Sequence, residues 1–472
     1  MERAIELFIK DFSEKLQCER ASLFIGSGIS RKAGYSSWKQ TLKECAEEIE
    51  LDVEKEQDLI TLAEFYVKTR QRTKINQTIT SYFRDNNGSP TSVHEILASF
   101  PVKDIWTTNY DTLIERSLSN ANISFSIITD DQSYIGIDPM AKVKVHKIHG
   151  DVKTPDRCVI TRGDYERFEL DHNVVLSELK GEMCCNSFLF LGYSFSDIDI
   201  QHILSKIRLI YDKSNPQRHY CIVEKVNRED CVDDIDYQYK TKRQDHHIKD
   251  MESYGIDTIL VNSYDEIEGI LQEIRFRIHL HDVFISGAYE ESDPLSKLRI
   301  APAAVRLSQK LIENGYNIIT GYGKNLGADI VTGAFQGCET AKTFPKNFND
   351  HVFLFPFSYK TTKSSKRDSL YTSIRENMIM RTRISVFISG KQSNSISHGA
   401  LEEYKMSHDS GNLIIPLSTT GGAALQIWDL ENRAQSFSSK FEEFQKLKTE
   451  INPDKMVELT MSMIDKFIKN YQ

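Results

Sequence analysis

The chain has 472 residues, 27% of them charged and 40% hydrophobic, and a formal net charge of −9. That length exceeds one ordinary core, so two domains are expected, and the acidic average gives no basic face for nucleic acid. Eight scattered cysteines lack the C-x-x-C spacing of a structural zinc site, and no apolar run is long enough to span a membrane.

Residues 1–12 mix Glu2, Arg3, Glu6, Lys10 and Asp11 with apolar residues at helical spacing. A signal peptide would carry an uninterrupted apolar centre, so the chain is read as cytoplasmic. Short β-branched runs then alternate with helical patterns: Ala21 to Ile25, Val102 to Trp106, Val143 to Ile148, Phe188 to Leu191, Tyr220 to Val223 and Thr258 to Val261. Such alternation predicts a doubly wound parallel sheet. The charged stretch Glu224 to Asp250 reads as a solvated helical insertion, and His246-His247 within it has no partner at ligand spacing. A helical pattern through Ile267, Ile270, Leu271, Ile274 and Ile278 closes this part. A second series follows at Val283 to Ser286, Tyr316 to Thr320, Val352 to Phe355, Ile384 to Ile388 and Leu413 to Leu417. The expected fold is therefore α/β, two Rossmann-like doubly wound domains, 1–280 and 281–472.

Four polar clusters each follow a predicted strand: Gly26-Ser27-Gly28-Ile29-Ser30, Thr107-Thr108-Asn109-Tyr110-Asp111, His149-Gly150-Asp151 and Gly192-Tyr193-Ser194-Phe195-Ser196-Asp197. Loops at the carboxyl ends of strands line the ligand crevice of such sheets. Gly26 and Gly28 suit the approach of backbone amides to a pyrophosphate, with Ser27 and Ser30 as hydroxyl donors at a helix start. Asn109 offers an amide for a ribose hydroxyl or an attacking water, Asp111 supports the loop or a carboxamide, and His149 suits a general base. Each residue type also suits an ordinary turn or strand end. Their order and placement carry the functional reading.

A Gly-rich loop, T-x-N-x-D, H-G and G-x-S in this order resemble the sirtuin NAD⁺-binding core over roughly residues 15–265. The resemblance implies NAD⁺ as substrate, Gly26, Ser27, Gly28, Ser30, Asp111, Gly192 and Ser194 as its binding residues, and Asn109 and His149 as catalytic. The chain departs from protein-deacylating sirtuins in two places. It lacks their paired C-x-x-C module, and Ala33-Gly34-Tyr35-Ser36-Ser37-Trp38 stands where they carry G-I-P-D-F-R. What remains is the means to cleave the nicotinamide–ribose bond with water as acceptor and no metal. Cleavage develops an oxocarbenium-like transition state, as in glycoside hydrolysis. Nicotinamide leaves readily, so the enzyme need only orient the ribose and guide a water.

The second half carries Phe284-Ile285-Ser286-Gly287-Ala288, Thr320-Gly321-Tyr322-Gly323, Gly327-Ala328, Arg375-Glu376-Asn377-Met378 and Gly399-Ala400-Leu401-Glu402-Glu403. This order resembles the SLOG superfamily, whose phosphoribohydrolases use R-K-x-x-M and P-G-G-x-G-T-x-x-E segments. Here Glu376 replaces the lysine, and Ser389-Gly390-Lys391 leads into a polar loop in place of the P-G-G-x-G-T turn. Binding without turnover is the expectation. Ser286, Gly287, Gly321 and Gly323 would form the cradle, Arg375 and Arg381 would pair with phosphates, and Glu403 would accept from ribose hydroxyls. The basic stretch Lys360, Lys363, Lys366 and Arg367 would add phosphate attraction or form only a loop.

A sirtuin-like domain followed by a SLOG domain resembles the ThsA-type effectors of the Thoeris anti-phage system. The resemblance implies an NAD⁺ hydrolase activated by a cyclic ADP-ribose-type signal from a partner TIR-domain enzyme, in a homo-tetramer or larger assembly. The alternatives are an NAD-dependent protein deacylase, disfavoured by the missing zinc module, and a non-catalytic nucleotide-binding regulator, disfavoured by the presence of both Asn109 and His149.

Overall fold

The computed structural model describes residues 3–35, 37–83, 88–193, 204–205, 217–341, 347–357, 365–392 and 395–471, with backbone alone for 365–368 and 392. The chain divides into two compact units, residues 1–275 and 276–472. The helix Glu266–Ile278 spans that division, which falls within the helix rather than after it.

The first unit is built on a seven-stranded sheet of order β3-β4-β2-β1-β5-β6-β7. Its strands are β1 Ala21–Ile25, β2 Asp104–Thr107, β3 Phe125–Ile128, β4 Val143–Lys147, β5 Ser187–Leu191, β6 His219–Glu224 and β7 Ile256–Val261, every pairing parallel. The central β1 and β5 are buried at every residue, as strands covered on both faces must be, and so read as continuous apolar runs. Strand β3 was not visible as a run because it is an edge strand with only Ile128 buried. Between β1 and β2 lie the helices Trp38–Thr41, Lys43–Glu47, Leu59–Thr69 and Arg72–Tyr82. Their apolar faces, with Leu42, Leu62, Ala63, Tyr66, Ile75 and Ile79, share a core with Tyr110, Leu113 and Val152. This helical layer therefore rests on the loops that follow β2 and β4. The charged stretch after β6 is the helix Asp234–Ser253, capped by the Asp233 side chain and burying only Met251; His246 and His247 on it are exposed.

The second unit has a five-stranded sheet of order β10-β9-β8-β11-β14, with β8 Asp282–Ala288, β9 Asn317–Thr320, β10 Val352–Leu354, β11 Ile384–Ser389 and β14 Leu413–Leu417, again all parallel. A short antiparallel hairpin, β12 Lys391–Gln392 and β13 Ser395–Ile396, follows β11. The helices Ala301–Glu313 and Leu326–Thr340 approach so closely that a Cβ on Gly333 would lie 2.0 Å from the Val305 carbonyl oxygen. Among the described residues no helix is long and apolar enough to cross a membrane.

One buried side chain makes stability depend on pH. His219, 2% exposed at the start of β6, accepts the Phe188 amide on Nδ1 at 3.2 Å, and burial pushes its pKa down to about 4. The unfolded chain binds this proton near 6.5 and the folded chain does not. The stabilisation is therefore complete above that value and is lost as pH falls toward 4, about 3 kcal/mol in all. Urea midpoints should fall more steeply between pH 6.5 and 4.5 in the wild type than in His219→Gln, whose amide oxygen can still accept. Equal slopes would remove His219 from the account.

Candidate functional site

In the first sheet the strand order reverses direction between β1 and β5, the place where doubly wound folds open a ligand crevice. The loop after β1 and the turn after β5 meet there. A Cβ on Gly26 would stand 2.4 Å from the Gly192 carbonyl oxygen, and one on Gly28 would stand 2.8 Å from Gly192 Cα. The Gly26 amide donates to Leu191 O at 2.8 Å and the Gly28 amide to Gly192 O at 2.9 Å. These two amides join the ends of β1 and β5, and the glycines permit the close approach. Ser27 opens the short helix Ser27–Lys32 and is exposed. Ser194 lies outside the described residues.

Ser30, Asn109 and Asp111 form one buried network. The Ser30 hydroxyl donates to Asp111 Oδ2 at 2.8 Å and accepts from Asn109 Nδ2 at 3.0 Å. Asp111 Oδ1 accepts the Leu113 amide at 3.1 Å, so this carboxylate both starts the helix Leu113–Asn120 and fixes the serine. The Asn109 backbone N–H donates to Thr107 Oγ1, which itself donates to Ile25 O at 2.7 Å. The end of β2 is thereby tied to the end of β1, and the Asn109 carboxamide has a set orientation.

His149 follows β4, is 5% exposed and stands edge-on to Tyr165 and Phe168, with ring centroids at 5.6 and 5.7 Å. Its loop is bonded to the Asn109 loop: Val152 donates its amide to Tyr110 O at 3.0 Å, and Tyr110 OH donates to Val159 O at 2.7 Å. Between the two loops lies Lys147, a residue the sequence reading missed. Its Nζ reaches Tyr110 O at 3.1 Å, Asp111 O at 2.5 Å, Glu115 Oε1 at 2.8 Å and Asp151 Oδ2 at 2.6 Å. The signal was available: Val143, Val145 and Lys147 share one phase of β4, which places the lysine on the face of two buried valines.

A second polar cluster lies at the other end of β2, where Asp104, His146 and Glu178 have ligand atoms within 4.8 Å of one another. The Lys144 ammonium sits there, bonded to Asp104 Oδ1 at 2.9 Å and to Glu178. His146 Nε2 meets the same Asp104 oxygen at 2.9 Å, its ring stacked on Trp106. A lysine already supplies the cation. Elemental analysis of the purified chain is expected to find no stoichiometric zinc, and one tightly held Zn²⁺ per chain would contradict this.

In the second unit the strand order reverses between β8 and β11. Ser286, inside β8, donates to Glu403 Oε2 at 2.5 Å. Arg375, on the helix Ser365–Met380, pairs with Glu402 at 2.7 Å and with Glu403 at 3.5 Å, and its guanidinium lies 5.1 Å from the Phe357 ring centre. Burial raises the Glu403 pKa, while Ser286 and Arg375 oppose that shift without cancelling it. Gly287 has φ +142°, and a Cβ on Gly323 would lie 1.9 Å from its carbonyl oxygen; one on Gly321 would lie 2.6 Å from Phe357. Ser286, Gly287, Gly323, Gly321, Arg375 and Glu403 thus form a connected set. Arg381 does not join it. It is exposed in the turn before β11, at the amino end of that strand, whereas the crevice opens at the carboxyl end. Of the basic stretch, Lys360 and Lys363 and the side chains of Lys366 and Arg367 lie outside the described residues.

With this geometry in view, the comparisons decide the family. The chain is 34% identical over 442 residues to NAD(+) hydrolase ThsA of Bacillus cereus (strain MSX-D12), covering 92% of this chain and 90% of that protein. It is also 34% identical over 483 residues to NAD(+) hydrolase ThsA of Enterococcus faecium, covering 98% of each. The chain belongs to the ThsA family. Residues 266–469 match the Sir2- and TIR-associating SLOG family, and residues 103–253 match the SIR2-like domain family. The SIR2-like match takes in Asn109, Asp111 and His149. A more distant similarity, 21% over 213 residues, links this ThsA-family chain to Defense-associated sirtuin 2 of Bacillus subtilis, covering 44% of this chain and 21% of that protein.

Proposed function

We propose that the chain hydrolyses NAD⁺ to nicotinamide and ADP-ribose in its first unit, and that a cyclic ADP-ribose-type nucleotide binding in its second unit activates it. The observation that carries the hydrolase reading is the buried Ser30–Asp111–Asn109 network at the switch point of the sheet, in a chain whose relatives bear the name NAD(+) hydrolase. The fixed Asn109 carboxamide orients a ribose hydroxyl or the water. His149 takes the proton as water adds to the anomeric carbon and the bond to nicotinamide breaks. Gly26, Ser27, Gly28, Asp111, Gly192 and Ser194 hold the dinucleotide.

For the second unit, Arg375 beside Glu402 and Glu403 supports nucleotide binding: a phosphate on the guanidinium replaces one carboxylate partner, and Glu403 accepts from a ribose hydroxyl. The partner implied is a TIR-domain enzyme that makes the signal, and the assembly a homo-tetramer or larger, working in defence by depleting NAD⁺. Moving from about 1% to 99% active requires about 5.5 kcal/mol of differential affinity between two states. The test is product analysis after incubating the full chain with NAD⁺, an acyl-lysine peptide and candidate cyclic ADP-ribose isomers. Equimolar nicotinamide and ADP-ribose with intact peptide is the expected result. Peptide deacylation would replace the hydrolase reading.

A further inference from the structure

Lys147 has an unusual position for a lysine. Its side chain has no exposed surface and those of Glu115 and Asp151 are 5% exposed, so one ammonium is buried with two carboxylates. Three N–H donors serve four acceptors. Burial favours the neutral amine, but Glu115 and Asp151 outweigh it and raise the lysine pKa. Burial also raises the Glu115 carboxyl, against the pull of Lys147. A buried ion pair is often no more stabilising than apolar residues of similar volume. The four acceptors explain the choice. Two are the backbone carbonyls of Tyr110 and Asp111, in the loop that carries Asn109. A third is the carboxylate of Asp151, two residues past His149, whose other oxygen accepts the Lys153 amide at 2.7 Å. The fourth, Glu115, belongs to the helix Leu113–Asn120 and to neither catalytic turn.

We infer that Lys147 is a positioning residue for the hydrolysis: its buried ammonium cross-links the Asn109 loop to the His149 loop and sets their separation for the chemical step. This rests on the hydrolase reading. The lysine touches no substrate. It acts through the Asp111 backbone, whose side chain holds Ser30 and through it Asn109, and through Asp151. The pyrophosphate end of the crevice, formed by Gly26, Gly28 and Gly192, is braced separately by β1–β5 contacts. Loss of the cross-link should therefore disturb turnover more than binding.

The two carboxylates provide the test, because a merely structural cluster treats them alike. Asp151→Asn weakens the bond to the His149 loop. Glu115→Gln keeps an acceptor of the same shape and removes a charge that anchors no catalytic turn. Steady-state nicotinamide release by the full chain is measured for both and for Lys147→Met, with thermal unfolding as the control. Asp151→Asn is expected to lower kcat about a hundredfold, the scale of a 1 Å misplacement, with KM for NAD⁺ unchanged. Glu115→Gln is expected to turn over like the wild type. Lys147→Met, where it folds, should follow Asp151→Asn, and the carboxylate pair decides the matter where it does not. Equal kcat values for Asp151→Asn and Glu115→Gln, or losses confined to KM, would overturn the positioning role while leaving the hydrolase reading intact. A wild type that leaves NAD⁺ untouched would overturn both.

Discussion

Nicotinamide release is expected to fall about 10²–10⁴-fold in His149→Ala, the usual worth of a positioned general base, and to fall below detection in Asn109→Ala. The two losses have different origins. Without His149 the attacking water keeps its proton until the bond has formed. Without Asn109 the Ser30–Asp111 pair remains, but nothing orients the ribose or the water. Both side chains are buried, at 5% and 7% exposure, and His149 packs against Tyr165 and Phe168. They therefore carry some packing, and each variant should lose about 1–3 kcal/mol of stability. Rates must be compared at a temperature where circular dichroism shows both variants folded. Turnover within a few-fold of wild type in either one would remove that residue from the mechanism.

Arg375→Ala is expected to weaken activation by the signal about ten- to a hundredfold, the equivalent of a charge-assisted contact of about 1.5–3 kcal/mol. The ion pairs to Glu402 and Glu403 sharpen the prediction. Burial raises the Glu403 pKa and the guanidinium opposes that rise, so in the variant that carboxyl takes up a proton more readily. It then becomes a donor to Ser286 or to the ligand rather than an acceptor from a ribose. Maximal NAD⁺ cleavage at saturating signal should survive. Titration of the activating nucleotide against both proteins checks this: an unchanged midpoint would place Arg375 outside the sensor crevice. A lost maximum with unchanged binding would place it in the coupling of the two events.

The fold was legible because parallel strands buried on both faces leave apolar runs such as Ser-Phe-Leu-Phe-Leu at β5, and because each polar cluster followed such a run. The edge strand β3, with a single buried residue, carries no comparable signal. For the candidate sites, residue type and strand-end position were enough to nominate Ser30, Asn109 and Asp111, and their mutual hydrogen bonds needed coordinates. The Gly26 and Gly28 loop suits a phosphate cradle, and a glycine loop that approaches a second loop has the same composition. Which partner takes the amide is a tertiary fact. Arg381 has the residue type to pair with a phosphate, but a residue just before a parallel strand emerges at the end of the sheet away from the crevice. Residue type alone hides Lys147, because a lysine in a strand is ordinarily a solvated residue. Only its phase with Val143 and Val145 marks it as buried.

On the proposed reading, the chain breaks the nicotinamide–ribose bond of NAD⁺ on command from a nucleotide held in its second unit. The most direct measurement follows nicotinamide and ADP-ribose release from NAD⁺ by the full-length protein, while candidate cyclic ADP-ribose isomers are titrated and their binding is measured in parallel by calorimetry. A low rate is expected to rise to a plateau as one isomer saturates its site, with the two products formed in equal amounts. NAD⁺ left intact while an isomer binds stoichiometrically would contradict it.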